Sequence, residues 1–238
     1  MKHYFEYFFN KDTQNKLTAY YENVSLAQHS EIQKLKTETK LTRLGQMVKF
    51  YNNDVVLDIG CSRGFLLQEI SPCIKKGVGL DIAKNIIAEN NKKIKFPNIT
   101  FESYDGINIP YNNEFTKITM LDVLEHAFYP DSLMVAIYKS LKENGQLIIG
   151  VPFTGWLSEL LVKDYHQGHL RYYDSTYLKQ YLERFGFSVE SIRVYNSVPL
   201  ASLFLRIKIL WRILDFIVNL IPTSFFPYFG EIIAIANK

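Results

Sequence analysis

Val55-Val56-Leu57-Asp58-Ile59-Gly60-Cys61-Ser62-Arg63-Gly64-Phe65-Leu66-Leu67 carries three kinds of local structure in succession. Val55 to Ile59 is a short, mostly apolar run, the composition of a strand buried on both faces of a parallel sheet. An acidic residue and two glycines then turn the chain, and Phe65-Leu66-Leu67 begins an apolar helical face. Strand, tight glycine turn and helix, in that order, present backbone N–H groups to a ligand. Glycine serves there because φ can be positive and because a ligand can lie against the main chain.

A second landmark follows at the spacing such turns require. Gly77-Val78-Gly79-Leu80-Asp81-Ile82 is another buried strand, and its terminal carboxylate comes about 20 residues after the glycine turn. At that distance an acidic residue accepts hydrogen bonds from a ribose diol. The turn does not spell G-x-G-x-x-G, and no G-x-x-x-x-G-K-[ST] phosphate loop occurs.

The remainder alternates in the same way. Ala83 to Asn91 has helical spacing, Ile99-Thr100-Phe101 is a third strand and Phe115 to Leu121 a fourth. Pro130 opens a helix to Lys142, Asn144-Gly145 ends it, and Gln146 to Pro152 is a fifth strand. Tyr177 to Phe185 is an amphipathic helix stopped by Gly186, Phe187 to Val194 is a sixth strand, and Glu231 to Ala236 closes the set. Alternating strands and helices predict a parallel, doubly wound sheet with ligands at the strands' carboxyl ends. Asp58, Asp81, Asp105 and Asp122 all fall at such ends.

These motifs resemble the class I S-adenosylmethionine (SAM) dependent methyltransferases. Their acidic-x-Gly-x-Gly-x-Gly motif stands here as Asp58-Ile59-Gly60-Cys61-Ser62-Arg63-Gly64, with serine at the middle glycine. The resemblance covers residues 50–195 and the last strand, and includes the group of ubiquinone-biosynthesis O-methyltransferases. It implies an α/β, Rossmann-like fold with a seven-stranded, mostly parallel sheet, helices on both faces and an antiparallel closing strand. It also implies SAM as cofactor. Asp58, Gly60 and Gly64 would hold the methionine end with Cys61, Ser62 and Leu121 alongside. Asp81 and Ile82 would meet the ribose, and Asp105 with Gly106 the adenine.

Methyl transfer from a sulfonium is an in-line displacement, so positioning supplies much of the rate. A hydroxyl acceptor also benefits from a base of near-neutral pKa, the usual role of histidine. Two histidines follow strands: His126 in Asp122-Val123-Leu124-Glu125-His126, and His169 in His166-Gln167-Gly168-His169-Leu170-Arg171-Tyr172-Tyr173. Both are the candidate catalytic residues, against structural roles in capping a loop. Arg171 is read as a partner for a carboxylate. Asp122-x-x-Glu125-His126 also resembles the Glu-x-x-Glu-His metal site of ubiquinone-pathway and small-RNA 2′-O-methyltransferases. That would add a divalent cation, with His166 or His169 as a further ligand.

Composition narrows the classes. The chain has 238 residues, 47% of them apolar, enough for one α/β domain with additions. A net charge of +3 without a basic block gives no obligate nucleic-acid partner. The two cysteines, Cys61 and Cys73, form neither a disulfide framework nor a metal-type spacing, consistent with a reducing cytoplasm. Residues 1–20 lack the charged-then-apolar order of a signal peptide.

Four segments result: 1–50, a helical amino-terminal extension or lid; 51–195, the SAM-binding core; 196–230, a hydrophobic helical insertion; and 231–238, the closing strand. In the insertion, Lys208, Arg212, Asp215 and Asn219 make one polar stripe on an otherwise apolar helix. Interior charges argue against a spanning helix. An apolar wall for the acceptor, membrane-surface association through 203–221 at the inner face of the membrane, and a homodimer contact are the alternatives. The expected function is SAM-dependent methylation, on oxygen, of a small-molecule acceptor that is apolar, glycan or lipid-linked. Metal-assisted RNA 2′-O-methylation, and SAM or partner binding without turnover, are the competing readings.

Overall fold

The computed structural model describes residues 31–154, 169–196, 208–220 and 229–238. Its seven strands are β1 Val55–Ile59, β2 Lys76–Asp81, β3 Ile99–Ser103, β4 Phe115–Leu121, β5 Leu141–Thr154, β6 Ser188–Asn196 and β7 Phe229–Asn237. They form one sheet in the order β3-β2-β1-β4-β5-β7-β6. β1 to β5 run parallel, and β7 is antiparallel to both β5 and β6. Strand order reverses between β1 and β4, which opens the ligand crevice at their carboxyl ends.

Six α-helices are described: α1 Glu31–Met47, α2 Phe65–Ile70, α3 Lys84–Lys93, α4 Pro130–Ser140, α5 Ser175–Arg184 and α6 Lys208–Leu220. Apolar residues alternate along the central strands, so the sheet has a core on each face. Leu57, Met120, Ile149 and Ala234 pack with Ile137 of α4 and Leu182 of α5. On the other face Val56, Ile148 and Ile233 pack with Leu67 of α2, Ile87 of α3 and Leu44 of α1. The expected amino-terminal helix is thus integral to the core through Leu44 and Val48.

Several boundaries differ from the sequence expectation. The helix opened by Pro130 ends at Ser140, and β5 begins at once with Leu141. Asn144-Gly145 therefore lies within β5 and does not end the helix. Asn144 takes φ 62, and the register against β4 shifts between Phe115 and Lys117, so the turn-forming pair is absorbed as an irregularity. The following helix starts at Ser175 because Asp174 accepts the Tyr177 N–H at 2.7 Å as its N-cap. β7 starts at Phe229, ahead of the expected Glu231. Within the insertion α6 is described, while 197–207 and 221–228 lie outside the described residues, as do 1–30 and 155–168 with His166. Among the described residues no helix is long and apolar enough to cross a membrane.

Candidate active site

Gly60 and Gly64 carry φ of 71° and 68°, and neither has room for a side chain. A Cβ on Gly60 would stand 2.2 Å from Val123 Cγ2, and one on Gly64 would stand 2.6 Å from the Phe101 ring. Ser62, at the middle glycine position, adopts φ 44, a region costly for a residue with a Cβ. Four N–H groups of this turn, expected to face a ligand, are used internally. Those of Gly60 and Cys61 donate to Leu80 O at 2.8 and 3.0 Å, and that of Gly64 donates to Cys61 O at 2.8 Å. The Ser62 N–H donates to Asp81 Oδ2 at 2.8 Å. The glycines therefore provide close approach rather than donors.

Asp81 is fixed between two loops, since its Oδ1 also accepts the Ala83 N–H at 2.9 Å. Burial raises its pKa and these N–H bonds oppose the rise. A carboxylate has about four lone-pair sites, so acceptor capacity remains for a diol. Asp58 lies within β1, almost fully buried, and accepts the Thr119 hydroxyl at 2.7 Å. Burial pushes its carboxyl up to about 7; the Thr119 bond opposes the shift and the Asp81 charge adds to it. Burial likewise pushes the Cys61 thiol up.

Asp105 is exposed and closes an Asx turn, with Oδ1 accepting the N–H groups of Ile107 at 2.8 Å and Asn108 at 2.6 Å. Slight burial raises its pKa, but the donors of Asn108 and Ile107 outweigh this and hold it low. Gly106 has φ 84 and backs onto Ile82, so the loops after β2 and β3 meet there. Leu121, the last residue of β4, is half-buried and its side chain lies over Gly150.

The chain then passes through Asp122, which takes φ 55, into a short 3-10 turn, Leu124–His126. The segment bearing His169 is tied to this turn. Leu170 N–H donates to Glu125 O at 2.8 Å, and Arg171 Nη1 donates to Ala127 O. Arg171, expected to pair with a carboxylate, instead binds a carbonyl and locks the two segments together. The rings of His126 and His169 come within 4.7 Å, centroid to centroid, at an interplanar angle of 67°. Val123, which caps the short turn bearing His126, lies against Gly60.

Glu125 is almost wholly buried, and neither carboxylate oxygen has a hydrogen-bond partner. His126 Nε2 lies 3.6 Å from its Oε1. Burial, with the nearby Asp122 charge, drives its pKa well above the usual carboxylate range. One ligand atom each from Glu125, His126 and His169 lie within 4.8 Å of one another. This grouping differs from the Asp122-x-x-Glu125-His126 motif, because Asp122 pairs with Lys40 of α1.

Lys40 and Arg43 are site-edge residues that no sequence motif indicated. Lys40 Nζ also reaches Glu231 Oε1 at 2.8 Å. Burial works against its charge, yet Asp122 and Glu231 prevail and hold the ammonium above the usual lysine range. Arg43 pairs with Asp215 of α6 at 2.6 Å and with Glu231 at 3.4 Å. α1 is thereby fastened across the carboxyl end of β4 and the amino end of β7, and to α6.

A family model described as a methyltransferase domain matches residues 26–192. The mitochondrial ubiquinone biosynthesis O-methyltransferase of Dictyostelium discoideum is 30% identical over 129 residues, covering 46% of this chain and 40% of that protein. The chain thus spans about 40% of the length of that curated relative. Phosphoethanolamine N-methyltransferase 2 of Haemonchus contortus, in complex with S-adenosyl-L-methionine, superposes with a TM-score of 0.63 at 18% identity, over 84% of this chain and 52% of that one. The [4+2]-cyclase SpnF gives a TM-score of 0.61 at 16% identity, over 84% of this chain and 80% of that one. Likeness at such identities establishes the fold alone, and the cyclase illustrates that one fold carries different reactions.

Proposed function

The chain belongs to the methyltransferase domain family, and from that premise we propose that it transfers a methyl group from SAM to a hydroxyl oxygen of a small, apolar acceptor. The observation that carries this reading is the meeting of His126 and His169 at the turn after β4, whose capping residue Val123 lies against Gly60. The family implies SAM as cofactor. Asp81 and Ile82 would receive the ribose, Asp105 and Gly106 the adenine, and Asp58, Gly60, Cys61, Ser62, Gly64 and Leu121 the methionine end. Two placements support these roles: Asp81 keeps acceptor capacity while its orientation is fixed by two N–H donors, and Gly106 is drawn against Ile82.

When bound, SAM supplies an electrophilic methyl group on a sulfonium. The acceptor oxygen would take up that methyl group, the C–S bond breaking with its electron pair left on sulfur. The hydroxyl proton passes to an imidazole of His126 or His169, neutral imidazole being the common base near pH 7. Burial raises the Glu125 carboxyl beside that base well above the usual carboxylate range. The relative's name, ubiquinone biosynthesis O-methyltransferase, directs the acceptor search to phenolic and quinol-like compounds with an apolar tail.

A divalent cation is a second reading, favoured by the unpartnered carboxylate of Glu125 beside two imidazoles. A carboxylate and two imidazoles suit such an ion, which would orient the acceptor hydroxyl. RNA 2′-O-methylation by the metal route is not favoured, since the net charge of +3 provides little for a phosphate backbone.

Calorimetric titration with SAM and S-adenosylhomocysteine, with and without chelator, followed by a labelled-methyl screen of apolar phenols and quinols, tests the proposal. Absence of binding to either ligand would overturn it. Turnover that survives exhaustive chelation would discard the metal reading.

A further inference from the structure

Lys40 falls on the buried face of α1. It precedes Leu44 and Val48 at i, i+4 and i+8, so one side of the helix carries two core side chains and a cation. A lysine so placed needs carboxylate partners, and residues from two strands supply them. Asp122 follows the last residue of β4, and Glu231 stands near the start of β7. Lys40 Nζ meets the Asp122 carboxylate and lies 2.8 Å from Glu231 Oε1. The Glu231 side chain reaches this point across Gly150, where an added Cβ would stand 3.3 Å from Oε1. Arg43 holds the other Glu231 oxygen at 3.4 Å.

Asp122 is where this arrangement touches the candidate chemistry. It takes φ 55, a conformation that a residue with a Cβ keeps only where its surroundings hold it. Its N–H donates to Gly150 O at 2.9 Å, and among the described residues its carboxylate pairs with Lys40 alone. The next residue, Val123, lies against Gly60, and Glu125 and His126 follow within the same turn. At the far end the turn is tied by Leu170 N–H to Glu125 O and by Arg171 to Ala127 O. The segment is thus pinned at both ends, by Lys40 in front and Arg171 behind.

We propose that Lys40 is a positioning residue for the reaction: backed by Glu231, its ammonium holds Asp122 and so sets the place and orientation of His126. Lys40 acts through Asp122 and the turn, and exchanges no proton with the acceptor. The inference rests on the proposed methyl transfer for its kinetic test, whereas the imidazole signals report on it without turnover.

Histidine-ring NMR spectra of the full chain, assigned with His126→Gln and His169→Gln, and acceptor kinetics together test this. Lys40→Met keeps the apolar stem and removes the cation, Lys40→Arg restores a cation, and Glu231→Gln weakens the support from behind. Asp215→Asn loosens Arg43 on its α6 side and leaves Lys40 its partners, so it controls for a general loss of stability. In Lys40→Met and Glu231→Gln the His126 ring signals should move. Lys40→Arg should bring them back toward the wild type, and Asp215→Asn should leave them in place. For the acceptor, kcat/KM should fall about tenfold to a hundredfold in Lys40→Met and recover in part in Lys40→Arg, at nearly unchanged SAM affinity. Glu231→Gln carries the test if Lys40→Met does not fold. Ring signals that stay put in both variants, or an equal change in Asp215→Asn, would overturn the proposal. An unaltered kcat/KM in Lys40→Met would do the same. A wild type that binds SAM yet methylates no acceptor would sink the methyl-transfer reading instead, and the ring signals would still decide the role of Lys40.

Discussion

His126 and His169 stand ring to ring, 4.7 Å between centroids, although one follows β4 and the other precedes α5. The contact is held by main-chain bonds on either side, Leu170 N–H to Glu125 O and Arg171 Nη1 to Ala127 O. Their positions are thus set by the backbone of both segments and not by the rings alone.

If the two imidazoles act as one proton-accepting unit, their removal is not additive. His126→Ala and His169→Ala should each lower kcat by about a hundredfold, and the double variant by little more than the worse single one. SAM affinity, measured calorimetrically, should stay within about twofold of the wild type. Equal loss of SAM binding would mean a structural role.

Gly60→Ala introduces a methyl group 2.2 Å from Val123 Cγ2, at φ 71°. Overpacking and the left-handed backbone together should cost roughly 2–4 kcal/mol. Combining it with Val123→Ala removes the collision but not the backbone term, so thermal melts should show partial recovery.

Asp58 sets a pH dependence whose sign can be worked out. Its folded pKa of about 7 exceeds the unfolded value of about 4, so the native state holds the proton more tightly. The resulting stability is complete below pH ~4 and is lost as pH rises through ~7. The ligand-free protein should therefore melt progressively lower between about pH 5 and pH 8. Glu125, raised well above its ordinary range by burial, contributes in the same direction. Asp58→Asn should flatten the Asp58 part of the slope, and a slope identical to the wild type would show that Asp58 is not the titrating group.

Arg43→Ala leaves Asp215 and Glu231 without the guanidinium between them and removes a cation from over the Tyr195 ring. Because the arginine is buried, the expected loss is about 3 kcal/mol, larger than for Asp215→Asn, which leaves Arg43 its bonds to Glu231 and Asn196 O. A double-mutant cycle by urea denaturation should return a coupling of about 1 kcal/mol or more.

Breaking the Lys40 link tests whether α1 gates the crevice. Lys40→Met removes the cation that bridges Asp122 and Glu231 while keeping the apolar stem. KM for the acceptor is expected to change by about fivefold or more, with a smaller effect on SAM affinity. An unaltered KM would leave α1 a purely structural element.

The parts of this protein legible in the chain are those in which a local rule suffices. Buried strands such as Val55–Ile59 announce themselves by apolar runs, and Gly60 and Gly64 by the positive φ that the turn demands. The position of Asp81 at the end of β2, beside the glycine turn, follows from the length of one strand–turn–helix–strand unit. Asn144-Gly145 misled for the same local reason: the pair signals a turn wherever it stands, yet here it kinks β5. Lys40, Arg43 and the inward turn of the α6 polar stripe had no such signature.

What the sequence by itself determined is the order of strands and helices, the glycine turn and the carboxylates at the strand ends, because neighbouring residues and chain sterics dictate them. Only the tertiary structure decided that His126 meets His169, that Lys40 closes on Asp122, and that Asp215 binds Arg43 and leaves Phe216 exposed. Hydrogen bonds and ion pairs between side chains act over a few ångströms. Which distant residues come within that range is fixed by packing of the whole sheet, and no spacing along the chain records it.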